Sequence, residues 1–130
     1  MLTHHTPIGI RRPFAHYSHA VAIPPGARML LCSGQLGIGA DDAVPEDAGA
    51  QAEMCFANIA AILTDAGMGL GDIVRINAFV ASREHLASYM AVRDRLFPDP
   101  ATAPASTLMI VAGFARVEFK VEVEVIAAKA

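Results

Sequence analysis

The C-terminal stretch constrains this chain most. From Ala103 to Ala127 it reads APASTLMIVAGFARVEFKVEVEVIA. In its second half Val117, Phe119, Val121, Val123 and Val125 alternate with Glu118, Lys120, Glu122 and Glu124, the period-2 pattern of a strand. Its first half is apolar on both sides from Thr107 to Ala112. Such a segment, paired through Gly113 with one that alternates, implies a sheet whose second face also meets protein.

Upstream, local signals mark out the other elements. Residues 1 to 13 hold Pro7 and Pro13 without periodicity and read as an arm of a single domain spanning 1 to 130. Phe14 to Ile23 reads as a short strand. Pro24, Pro25 and Gly26 turn it into a second strand, Arg28 to Ser33, to give a hairpin. The glycine-rich run Ser33-Gly34-Gln35-Leu36-Gly37 then leaves the sheet. A first helix should start near Glu46 or Asp47 and stop at Gly67, because Ala48, Ala52, Cys55, Phe56, Ile59, Leu63 and Ala66 recur at helical spacing. Asp72 to Val80 is a strand, Ser82 can cap a second helix reaching Phe97, and Pro98 and Pro100 end it.

The order is strand, strand, helix, strand, helix, strand, strand, an α+β arrangement with a mixed sheet. Two helices cover one face of such a sheet. The other face must be wet or buried by another copy. The apolar residues of Arg28 to Ser33 and Thr107 to Ala112 favour a homo-oligomer with sites at subunit junctions.

Composition narrows the function. A net charge of -3 and the lack of a Lys/Arg cluster argue against nucleic acid, since neutralising phosphates takes several basic groups on one surface. Hydrophobic content is 54%, yet no apolar run approaches bilayer length, so a soluble chain without a membrane partner is expected. The N-terminal MLTHHTPIGIRRPF lacks the apolar core of a secretory signal, which points to a cytoplasmic location. Cys32 and Cys55 read as reduced, buried residues.

Few residues offer chemistry. Glu122 is central in the alternating strand. Between subunits it would be partly desolvated, with a raised pKa suited to moving protons; in water it would join Glu118, Lys120 and Glu124 as a solvated face. Arg93 falls near the centre of an apolar arc of Leu86, Tyr89, Met90, Leu96 and Phe97, where it must snorkel, pair structurally or bind a substrate carboxylate. Tyr17 and Ser18 place hydroxyls beside a sheet edge. His16 and His19, three apart on a strand, point to opposite faces, so no metal site is read there. Ser106 has no histidine and acid nearby in sequence for a triad, and Ser33-Gly34-Gln35 lacks phosphate-loop spacing.

Taken together, several motifs resemble the RidA (YjgF, L-PSP endoribonuclease-like) family. They are His16-Tyr17-Ser18-His19-Ala20, Ser33-Gly34-Gln35-Leu36-Gly37, Gln51, Asn58, Ala66-Gly67, Asp72-Ile73-Val74, Ala103-Pro104-Ala105-Ser106 and Val121-Glu122-Val123-Glu124. The resemblance covers about Phe14 to Ala127. It implies a chorismate-mutase-like α+β fold, a homotrimer with clefts between subunits, and hydrolysis of small enamines or imines to keto acids and ammonia without metal or cofactor. It carries over Glu122 as the residue that positions water and Tyr17 as a cleft wall. Ser33, Gly34, Gln35, His19, Ser106 and Thr107 are the expected substrate contacts.

The family's arginine, in a PAR-(S/T) motif, aligns with Ser106, and its usual helix-two asparagine aligns with Met90. Either Arg93 replaces the missing cation or the substrate differs. The alternative on the same scaffold is a non-catalytic small-molecule-binding or chaperone-like trimer. The acidic charge speaks against a ribonuclease.

Overall fold

The computed structural model describes residues 1–130. Its elements are β1 (Thr3–His5), β2 (Ala20–Ala22), β3 (Arg28–Leu36), α1 (Ala48–Asp65), β4 (Ile73–Val80), α2 (Leu86–Leu96), β5 (Ala105–Ile110) and β6 (Val121–Lys129). Asp47 caps α1 by accepting from Ala50 N at 2.9 Å. Gly67, at φ +73°, closes it with a Schellman pair of bonds, Met68 N to Leu63 O and Gly67 N to Thr64 O. Ser82 caps a short 3-10 turn that leads into α2.

The main sheet runs β3-β6-β4-β5. The first two pairings are antiparallel and β4-β5 is parallel, with α2 as the crossover. Both helices lie on one face. Cys55, Phe56, Ile59 and Leu63 of α1 and Tyr89 of α2 join Ile76, Ala78, Val80, Val121, Val123 and Val125 in one buried core. Each fully buried Val or Ile of this set contributes roughly 1.5–3 kcal/mol. Cys55 is wholly buried, and burial, helped by the Glu122 charge, pushes its thiol up to about 12, so it is inert packing.

Four sequence expectations need correction. The hairpin of 14–23 with 28–33 does not form: β2 is confined to Ala20–Ala22 and pairs with β1, inside the segment read as an arm. Strand β3 bonds instead to β6. The glycine-rich run does not leave the sheet, because β3 continues to Leu36 through a bulge between Cys32 and Gln35. β5 does not pair with β6, since β4 lies between them.

Lastly, β6 begins at Val121 rather than Val117. Strand pairing ends there, with Leu36 paired to Glu122 and Val80 to Val121, and one further bond from Ala81 N to Lys120 O. Residues 117 to 120 find other partners. Gln51, fully buried on α1, donates to Pro45 O and Glu118 O and accepts from Lys120 N, all at 2.8 Å. Leucine at position 51 would strand these groups and should cost about 3 kcal/mol, read as a lowered midpoint in urea. An unchanged midpoint would deny the amide this stapling role.

Candidate active site

Register places Glu122 on the sheet face away from the helices, opposite Leu36 on one side and Phe79 on the other. Its carboxylate packs onto Gly34. A Cβ built on that glycine would lie 2.9 Å from Glu122 Cδ, so the missing side chain makes the seat. Burial lifts the pKa of Glu122 and the Glu124 carboxylate, two residues along the same face, lifts it further. Nearby, Ser33, Leu31, Asn77 and Glu124 line a shallow pocket, and Gln35 turns its amide back to Ser33 O at 3.2 Å.

A second cluster lies on the helical side, along the outer edge of β5, where Ser18 forms a bridge with Ala105. Arg93 is 2% exposed. Its Nε donates to Asp94 Oδ1 at 3.1 Å and its Nη1 to Ser106 Oγ at 3.5 Å, while its Nη2 is buried without a partner. The Tyr17 ring lies 5.9 Å from the guanidinium carbon and the Tyr89 ring 5.8 Å. Tyr17 is brought there by Ser18, which donates its backbone N–H to Pro104 O at 3.1 Å and its hydroxyl to Ala103 O at 2.6 Å. His16 and His19 are occupied locally: His16 Nδ1 donates to Phe97 O at 2.9 Å, capping α2, and His19 Nε2 donates to Arg11 O at 2.8 Å.

One chain therefore gathers the candidates into two groups. Arg93, Tyr17 and Ser106 meet on one side of the sheet, with His19 beside Tyr17 at 6.2 Å between ring centroids. Glu122 meets Gly34 on the other. Thr107, next to Ser106, points with the Glu122 face, where it accepts from Arg75 Nη2 at 2.5 Å.

The sequence reading passed over Arg75 and Asn77. Arg75 Nε donates to Asn77 Oδ1 at 3.0 Å, and Asn77 Nδ2 donates to Glu124 Oε1 at 3.2 Å, so a polar chain crosses β5, β4 and β6. The signal was available, since both alternate with the buried Ile76, Ala78 and Val80. The exposed apolar residues of this face, Met29, Leu31 and Met109, flank the chain.

The family model described as Endoribonuclease L-PSP matches residues 9–129. A 2-iminobutanoate/2-iminopropanoate deaminase of Salmonella typhimurium is 35% identical over 103 residues, covering 78% of this chain and 80% of that protein. The mitochondrial protein mmf1 of Schizosaccharomyces pombe is 29% identical over 99 residues, 76% of this chain and 61% of the relative, so the match spans less than two thirds of that protein. Among solved structures, YyfB from Yersinia pestis, a Rid-family protein of unknown function, superposes with a TM-score of 0.84 at 25% identity over 97% of both chains. With nearly the whole length matched in sequence and in fold, the chain belongs to the Endoribonuclease L-PSP family, the RidA/YjgF proteins.

Proposed function

We propose that this chain is a hydrolytic deaminase of small reactive 2-imino acids or their enamines, working in clefts between the copies of a homotrimer. One observation carries the reading: a buried guanidinium with an unpartnered nitrogen stands beside Ser106, the position where the family resemblance puts an arginine. An orphaned buried cationic donor calls for an anion, and a substrate carboxylate is the anion that family likeness suggests. The named activity of the Salmonella relative points the same way.

In this reading Arg93 holds the carboxylate, and Tyr17 walls the cleft. Glu122 of an adjoining copy orients a water whose oxygen attacks the imine carbon. The carboxylate takes the water's proton and passes it to nitrogen. The resulting carbinolamine gives its hydroxyl proton to the nitrogen, again by way of the carboxylate, as the carbon–nitrogen bond breaks, so that water and imine leave as keto acid and ammonia. Ser33, Gly34, Gln35, His19 and Thr107 complete the lining. The reading includes a cytoplasmic location and no nucleic-acid or membrane partner. No helix is long and apolar enough to cross a membrane.

Ammonia release from freshly generated 2-iminopropanoate by Glu122→Gln is the test. The expected kcat/KM is about a hundredfold below native, the usual scale of a lost general base. The native acidic limb should lie above the range of an ordinary glutamate, because the pKa is raised. A carboxyl whose folded pKa is raised adds stability below its unfolded pKa, about 4.3, and loses it as pH rises through the folded value. Glu122→Gln should therefore melt higher than native at neutral pH, with the gap closing in acid. Undiminished release by Glu122→Gln would remove Glu122 from the reaction, and native release no faster than the uncatalysed hydrolysis would leave the non-catalytic binding trimer as the better reading.

A further inference from the structure

Resting on Arg93 as the carboxylate clamp, we infer that Asp94 is the positioning residue of the site, one carboxylate oxygen holding both the clamp and the loop that carries Tyr17. Asp94 Oδ1 accepts from Arg93 Nε at 3.1 Å and from the backbone N–H of His16 at 3.3 Å. A guanidinium is planar, so fixing Nε and turning Nη1 toward Ser106 fixes the plane and hence the heading of the free Nη2. The second bond fixes the residue just before Tyr17, whose ring faces that same guanidinium.

The loop has further ties to the same helix end. His16 Nδ1 reaches Asp94 O at 3.3 Å as well as Phe97 O. Those backbone contacts survive any change in the Asp94 side chain. Only the carboxylate hydrogen-bonds to both loop and clamp, so its removal tilts Arg93 relative to Tyr17 without detaching the loop. A merely structural role would instead be neutralisation of a buried charge, and the Asp94 side chain, at 31% exposure, is free to do that through either oxygen.

Steady-state kinetics with 2-iminopropanoate, ammonia being measured, distinguish the two. Asp94→Asn keeps the shape and an acceptor oxygen but weakens the charged bond. KM should rise about tenfold with kcat within about twofold, because ground state and transition state lose the same anchor. Asp94→Glu, which keeps the charge, should recover part of that loss. In an Arg93→Ala background Asp94→Asn should do nothing more, since its effect passes through the missing side chain.

The inference is overturned if Asp94→Asn leaves KM unchanged, or if it costs as much without Arg93 as with it. It stands apart from the reading beneath it. A silent Arg93→Ala would remove the clamp itself, whereas a damaging Arg93→Ala with a silent Asp94→Asn would remove only the positioning role. Melting curves matching the native protein would show that Asp94→Asn acts on the site rather than on folding.

Discussion

Arg93→Ala lowers kcat/KM for a small 2-imino acid by about a hundredfold or more, because a charged clamp on a carboxylate is worth several kcal/mol in a desolvated site. The loss falls mainly on KM, as the carboxylate takes no part in bond making. Stability moves much less. The guanidinium is buried with one ion pair, one long bond to Ser106 and one nitrogen without a partner, so its desolvation is only partly offset. The Asp94 carboxylate left behind is 31% exposed and can be solvated. Calorimetry alongside the assay separates the two effects. A native kcat/KM would end the assignment of Arg93, and the cation would have to be sought on the opposite face, at Arg75.

Gly34→Ala should remove activity to the same degree as Glu122→Gln, about a hundredfold, while leaving the fold intact. The added methyl group would overlap the Glu122 carboxyl and approach its Cγ to 3.2 Å. That group is the end of a flexible side chain, so it swings away and the backbone stays. No positive φ is required at Gly34, and alanine meets no conformational strain there. The contrast with Gly37 is instructive. A Cβ there would lie 2.9 Å from Gln51 Cα, in a helix that cannot rotate aside. Circular dichroism, a melting curve and the ammonia assay on Gly34→Ala would check the claim. Native activity would mean that the position of the Glu122 carboxylate is irrelevant to the reaction.

Much of the site was legible in the sequence as single residues and little of it as an arrangement. Alternation marked Glu122 as facing away from Val121 and Val123, which holds. The helical wheel put Arg93 inside the apolar arc of α2, and its 2% exposure agrees. Neither pattern shows that Arg93 bonds Ser106 or that Glu122 rests on Gly34, since those partners are distant in sequence and meet only through the β3-β6-β4-β5 order. Asp94 was invisible for a related reason. An aspartate near the end of an amphipathic helix looks solvated until the loop from His16 is seen to descend on it.

The amino-acid order by itself determined the two helices, the central strands and which side of each is apolar. Caps, turns and periodicities act within a few residues, so Asp47, Gly67 and the valines of β6 specify them locally. Tertiary structure alone decided which strands pair, where β6 starts and which charges share a face. Those outcomes depend on whose backbone groups are still free when the sheet closes. With β3 and β4 used up at Glu122 and Val121, Glu118 and Lys120 turned to Gln51, a choice no periodicity encodes.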